Sequence, residues 1–236
     1  MSRPGLIRRS ALRIIAPILQ GWYARWNSRE RRVKVGGFDL IIPPGVFHPD
    51  LFLSTRLLAE HVGSLPLAGK TFLDLGTGSG YIALTAARAG AIATASDVNP
   101  AAVESVRQNA QRNELRLTAV LSDQFDELPG HFDMIAINPP YYDRDPSTLA
   151  EHAFLAGEGL RYFVRLFPAL ADRIRKGSEV FMVLSEDLDL ERVRSMARTS
   201  GLELRSIRSR RRWAETTTVF HIVPASADAR SNATGG

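Results

Sequence analysis

The residues best equipped for chemistry are Asn138-Pro139-Pro140-Tyr141, which follow the apolar run Phe132-Asp133-Met134-Ile135-Ala136-Ile137. Two prolines after an asparagine make a rigid, extended stretch at a strand end. Neither proline has an N–H to donate, so their carbonyls are free to accept. An asparagine side-chain oxygen and a nearby backbone carbonyl can together take both hydrogens of one planar –NH2 group. Tyr141 offers a flat face on which that group can stack. Such a nitrogen has a delocalised lone pair and is a poor nucleophile. Drawing on its hydrogens while holding it in line with an electrophile supplies orientation and charge stabilisation together. Asn138, Pro139 and Tyr141 are the candidate catalytic residues. An ordinary Pro-Pro loop would explain the prolines but not their place after a strand.

A second constellation supplies a ligand site. The run Thr71-Phe72-Leu73-Asp74-Leu75 reads as a buried parallel strand and leads at once into Gly76-Thr77-Gly78-Ser79-Gly80. Tyr81 to Arg88 then form an alanine-rich helix ended by Gly90. Strand, glycine turn and helix are where an α/β sheet lets backbone approach a ligand closely. Asp97 closes the next apolar run, at a distance suited to the two hydroxyls of a ribose. A dinucleotide site would need a third glycine at position 81, which is Tyr. The pattern present is Asp-x-Gly-x-Gly-x-Gly. Asp74 would repel a phosphate but suits a ligand that carries an ammonium group.

This segment resembles motif I of the class I S-adenosylmethionine-dependent methyltransferases. The resemblance implies that S-adenosyl-L-methionine is the cofactor, that the loop of Asp74, Gly76, Gly78 and Gly80 runs under its methionine part, and that Asp97 holds its ribose. Its electrophile would be a methyl-sulfonium, facing Asn138. Residues 71 to 160 resemble the release-factor glutamine N5-methyltransferase family more closely than a generic methyltransferase. The matching stretches are Asp74 to Gly80, Ser122-Asp-Gln-Phe-Asp-Glu-Leu-Pro129, Phe132-Asp133, Asn138 to Tyr141, and Ala153-Phe-Leu-Ala-Gly-Glu-Gly-Leu160. In similar enzymes a Thr near the start of the helix before motif I faces the cofactor, which makes Thr55 a candidate. Where the bacterial release-factor enzymes carry a separate helical N-terminal domain, only a short basic arm precedes this core. The Asn-Pro-Pro-Tyr sequence also occurs in adenine-N6 methyltransferases of DNA and RNA, so it names a class of target nitrogen rather than a target molecule.

The elements that must position these residues alternate along the chain. An amphipathic helix covers Asp50 to Val62, and Asn99-Pro100 caps and starts the helix after Asp97. A strand over Leu117 to Leu121 ends in Ser122-Asp123, which puts Asp123 beside the base of a cofactor whose ribose sits at Asp97. There it can accept a hydrogen bond from an adenine amino group. Helices near 160–174 and 190–199, with strands near 180–184, 202–207 and 216–223, complete the pattern. The fold expected is α/β: a doubly wound, seven-stranded Rossmann-like methyltransferase sheet over residues 36–224. Residues 225–236 read as a disordered tail.

Length and composition allow one such domain with a sizeable core: 236 residues, 44% hydrophobic and 23% charged. The absence of cysteine excludes disulfides, thiolate metal sites and a cysteine nucleophile, and the five histidines show no metal-ligand spacing. No metal is expected. The net charge of +5 is uneven, because residues 1–35 hold nine basic residues against Glu30 alone and leave the rest at −3. This basic arm also repeats apolar residues from Ala11 to Trp26 at helical spacing. Its uncharged run is too short to span a bilayer. It could pack on its own domain, lie on an anionic membrane surface, contact a nucleic acid, or form a substrate or dimer contact. The location expected is cytoplasmic, peripheral at the membrane if the arm lies there. The acceptor expected is a protein glutamine ahead of a nucleic-acid adenine, with a small molecule also open. A non-catalytic cofactor-binding module would need no intact Asn138 to Tyr141 site.

Overall fold

The computed structural model describes residues 28–50, 52–128, 130–212 and 215–225. Residues 1–27 of the basic arm, where helical spacing was expected, and the tail from residue 226 lie outside the described residues. Strands β1 (Arg31–Val35) and β2 (Phe38–Ile42) form an antiparallel hairpin, followed by helix α1 (Leu53–Val62). Then come β3 (Thr71–Leu75), α2 (Tyr81–Arg88), β4 (Ile92–Asp97), α3 (Pro100–Arg112), β5 (Thr118–Leu121) and β6 (Met134–Ile137). The chain continues through α4 (Arg161–Ala171), β7 (Glu179–Ser185), α5 (Leu190–Thr199), β8 (Leu202–Arg212) and β9 (Glu215–Pro224).

Seven strands form one sheet in the order β5-β4-β3-β6-β7-β9-β8, with β9 antiparallel to both its neighbours. Period-two alternation sorts the side chains between two cores. Phe72, Met134, Ala136, Phe181 and Val183 join the core beneath α1 and α2. Leu73, Leu75, Ile135, Ile137, Val180 and Met182 pack under α4 and α5. Strands buried on both faces explain why β6 and most of β3 and β7 read as apolar runs. Strand order reverses between β3 and β6, and the crevice at the carboxyl ends of such strands is where α/β sheets bind ligands.

The hairpin β1–β2 shows that the last five residues of the basic segment, Arg31 to Val35, are a strand. Asn109 on α3 and Asn113, which caps its C-terminus, fasten this hairpin to the domain. Asn109 accepts from Ile41 N at 2.8 Å and donates to Ile41 O at 3.0 Å. Asn113 does the same for Asp39, at 2.9 Å in each direction. Spaced four apart on a helix, they meet residues two apart on a strand and stand in for a neighbouring β-strand. Asn99 caps α3, its side chain accepting from Ala101 N at 3.0 Å.

Candidate active site

The carboxyl ends of β3, β4, β5 and β6 open into a cavity of about 910 Å³, at the upper end of the size typical of small-molecule sites. Gly76 and Gly78 after β3, Asp97 at the end of β4, Asp123 after β5 and Asn138 after β6 all line it, with Thr55, Pro139 and Tyr141. The strand order thus brings together residues up to 86 positions apart in sequence, from Thr55 to Tyr141. Asp74 and Gly80 stand behind the lining.

The glycines divide the work of the loop. All three have positive φ, +75° at Gly76, +53° at Gly78 and +86° at Gly80, which a side chain would strain. A Cβ at Gly76 would meet nothing within 4 Å, so this glycine keeps ligand space open. At Gly78 the added atom would lie 3.2 Å from Phe47 Cβ, and at Gly80 3.0 Å from Val106 Cγ2. Those two glycines let the segment before α1 and helix α3 pack closely on the loop.

Asp97 ties the loop to β4. Its Oδ2 accepts from Gly78 N at 2.8 Å and its Oδ1 from Asn99 N at 2.9 Å. Beyond its backbone donors Gly78, Val98 and Asn99, the carboxylate keeps lone-pair capacity for a hydroxyl. Burial raises the Asp97 carboxyl above the usual range, and the backbone donors work against that shift. Asp74 is almost wholly buried, with Oδ2 accepting from Thr77 Oγ1 at 2.6 Å and Ala83 N at 3.0 Å. Burial pushes its carboxyl up to about 7, helped by the charge of Asp97, while those two donors pull it down. Its Oδ1 has no partner among the described residues. Asp123 forms an ion pair with Arg165, which also holds Asp126.

Asn138 is held from both sides. Its Nδ2 donates to Thr55 Oγ1 at 3.1 Å, and its Oδ1 accepts from the Tyr141 hydroxyl at 3.1 Å. The same hydroxyl lies 3.3 Å from Val183 O. Burial holds the Tyr141 hydroxyl protonated well above its ordinary range, so it serves as a donor and not as a base. The wall opposite is a loop whose backbone is bonded to itself, with Tyr141 N and Tyr142 N both donating to Phe154 O at 2.9 Å. Phe47, Phe52 and Phe154 cluster there, with ring centroids 4.4–5.8 Å apart. The sequence reading missed this cluster: it put Phe52 inside a helix from Asp50, whereas α1 begins at Leu53 with Phe52 just ahead of it, and Phe47 and Phe154 lie in loops without periodicity.

The parts fit S-adenosylmethionine: an open glycine at the loop, an acid with spare lone pairs at β4, and an apolar wall opposite. This sheet and this site define a Rossmann-like methyltransferase that uses S-adenosylmethionine. The methyltransferase small domain family matches residues 37–203, and the chain belongs to that family. It is 34% identical to the release factor glutamine methyltransferase of Bordetella pertussis, over 61% of this chain and 57% of that protein. It is 36% identical to the ribosomal protein L11 methyltransferase of Deinococcus radiodurans, over 57% of this chain and 49% of that protein. The chain thus spans about half the length of these curated relatives. Among solved structures, the Thermus thermophilus 16S rRNA N2 G1207 methyltransferase, in complex with AdoMet and guanosine, superposes with a TM-score of 0.60. That match is 22% identical and covers 84% of this chain and half of the other, which supports the fold alone. Among the described residues, no helix is long and apolar enough to cross a membrane and no group of side chains could hold a metal ion.

Proposed function

We propose that this methyltransferase acts on a planar nitrogen, and that the acceptor is the side-chain amide of a protein glutamine. The observation that carries the reading is the clamped amide of Asn138 in the cavity lining. With Nδ2 committed to Thr55 and one lone pair of Oδ1 to Tyr141, the second lone pair of Oδ1 remains for an acceptor N–H. The carbonyl of Pro139 is placed by sequence to take the other hydrogen. S-adenosylmethionine, when bound, supplies an electrophilic methyl group. The chain's part is to orient the planar nitrogen and to stabilise the positive charge it gains, before a proton passes to water. Gly76, Gly78 and Asp97 are the residues proposed to hold the cofactor, with Asp74 and Gly80 shaping the loop behind them. Asp123 is proposed for the base, through the carboxylate lone pairs that Arg165 leaves free. The release-factor relative supports glutamine as acceptor, while the L11 relative is named for another protein of the translation machinery.

The test is radiolabelled methyl transfer to a cell extract, followed by partition of label among protein, RNA, DNA and small molecules. Label is expected in protein as N-methylated glutamine. Asn138→Ala should abolish it at nearly unchanged cofactor affinity, with a loss of about 100- to 1000-fold in rate. Label in RNA adenine instead would overturn the glutamine assignment. Wild-type transfer by Asn138→Ala would overturn the site.

A further inference from the structure

The hairpin β8–β9 carries five arginines on its first strand, Arg205, Arg208, Arg210, Arg211 and Arg212, against Glu203 and Glu215. Strand β8 is the outer strand of the sheet and runs to residue 212, five residues beyond the end expected from its apolar pattern. The register shifts between Ser206 and Arg208, and beyond that irregularity Arg208, Arg210 and Arg212 follow one another on one face. That face is the side of α1, since Arg208 and Arg210 both pair with Glu60, the latter at 2.8 Å. Arg212, at the end of the row, lines the active-site cavity, as do Leu53, Ser54 and Thr55 at the start of α1.

Charge on an edge strand can serve only to block edge-to-edge pairing. Such charge would be spread along the strand. Here residues 202–207 hold one arginine and residues 208–212 hold four, crowded at the cavity end. One carboxylate, Glu60, answers two of them. Among the described residues, no hydrogen bond or ion pair engages the side chains of Arg211 and Arg212. The pairs to Glu60 are well exposed, and exposed pairs of this kind are worth about 0–1 kcal/mol, so a denser anion can displace the carboxylate. Guanidinium groups match phosphate with two parallel N–H donors each. A row of them ending at the cavity suits a phosphate backbone laid along the strand.

We infer that the β8–β9 hairpin is an RNA-binding edge, with Arg208, Arg210 and Arg212 tracking the phosphate backbone toward the cavity mouth. This goes beyond the reading of the acceptor, because the RNA could carry the target nitrogen or could hold the protein that does. The full chain, titrated by fluorescence anisotropy with a labelled single-stranded RNA, tests it without any methyl transfer, so a failed glutamine assignment leaves the result intact. Each lost phosphate contact lowers the slope of log affinity against log salt by about 0.7, so Arg208→Gln/Arg210→Gln/Arg212→Gln should lower it by about 2 and weaken binding at least roughly tenfold. The matched loss of charge at Lys70→Gln/Arg112→Gln/Arg116→Gln, away from the hairpin, should change little. Glu60→Gln removes the competing carboxylate and should tighten binding severalfold, which no damage to the fold could mimic. Thermal midpoints report folding of each variant, and the N-terminal arm is common to all. An unchanged slope in the hairpin variant, equal loss in the matched variant, or weaker binding by Glu60→Gln would overturn the inference. So would loss of a labelled polyglutamate peptide with RNA binding retained, which would mark a surface for acidic protein.

Discussion

Thr55 on α1 accepts a hydrogen bond from the amide of Asn138, 83 residues further along the chain, at 3.1 Å. That bond decides which way the amide faces, because it commits Nδ2 and leaves Oδ1 toward Tyr141 and the cavity. Thr55→Val keeps the shape and deletes the acceptor. Cofactor affinity should stay within about twofold, while the methyl-transfer rate falls by about fivefold, the worth of one ordinary hydrogen bond. Thr55→Ser should restore the rate. A loss of cofactor affinity as large as the loss of rate would mean that Thr55 serves the cofactor directly, as the sequence resemblance implied.

Two glycines of the same loop should fail differently when given a methyl group. Gly76→Ala points into open cavity space, and Gly80→Ala meets Val106 at 3.0 Å. Both positions have positive φ, so each substitution strains the fold by about 1 kcal/mol or more. Calorimetry with S-adenosylhomocysteine should find affinity largely lost in Gly76→Ala. Denaturant unfolding should find the greater loss of stability in Gly80→Ala. The reverse order would misplace the cofactor relative to the loop.

Asn109 should matter to stability far more than its polar side chain suggests. It is wholly buried and bonded to Ile41 N, Ile41 O and Ser79 O; Ser105 Oγ also donates to Ile41 O, so Asn109→Ala leaves the part-buried Ile41 N–H and the buried Ser79 C=O without these partners. Each unsatisfied group costs about 1–3 kcal/mol. Urea unfolding should show a loss of several kcal/mol, whereas Gln108→Ala on the exposed side of α3 should show almost none.

The sheet was legible because its strands are buried on both faces, so Phe72 to Leu75, Asp74 aside, and Met134 to Ile137 are apolar runs, the first ending at Gly76 and the second at Asn138-Pro139. That Gly76, Asp97, Asp123 and Asn138 would share one cavity was legible because each follows or closes the carboxyl end of a strand, where spacing along the chain translates into adjacency in space. Strand β1 was not. Its arginines and lysine alternate with Val33 and Val35, but the charge masked the period and the segment read as part of a basic arm. The extent of β8 was hidden the same way, since Ser209 to Arg212 carry no apolar residue to mark a buried face. Pairing with β9 extends that strand where its side chains give no signal. The role of Asp74 was half legible. Its acidity suggested an ammonium partner, whereas the fold turns it inward to Thr77 and Ala83, behind the lining of the cavity.

That burial gives Asp74 a measurable pH signature. Its carboxyl titrates at about 7 in the fold against 3.8 for the free side chain, because burial disfavours the charged form. Below about pH 4 both folded and unfolded chains hold the proton, and the residue contributes no pH dependence. As pH rises from there, the unfolded chain releases its proton while the fold keeps it, so stability falls. The fall ends above about pH 7, when the folded carboxyl has ionised as well, and it totals about 4 kcal/mol. Asp74→Asn removes this titration. Its amide oxygen can still accept from Thr77 and Ala83, and its NH2 replaces the oxygen that has no partner among the described residues. Relative to the wild type, the variant should therefore gain stability steadily between about pH 4 and pH 8 in urea titrations. Asp97 shifts in the same direction and is present in both proteins, so the difference between them isolates Asp74 apart from their mutual repulsion. A difference that stays flat with pH would show that the carboxyl is ionised throughout, held by a positive charge that reaches it from the cavity side.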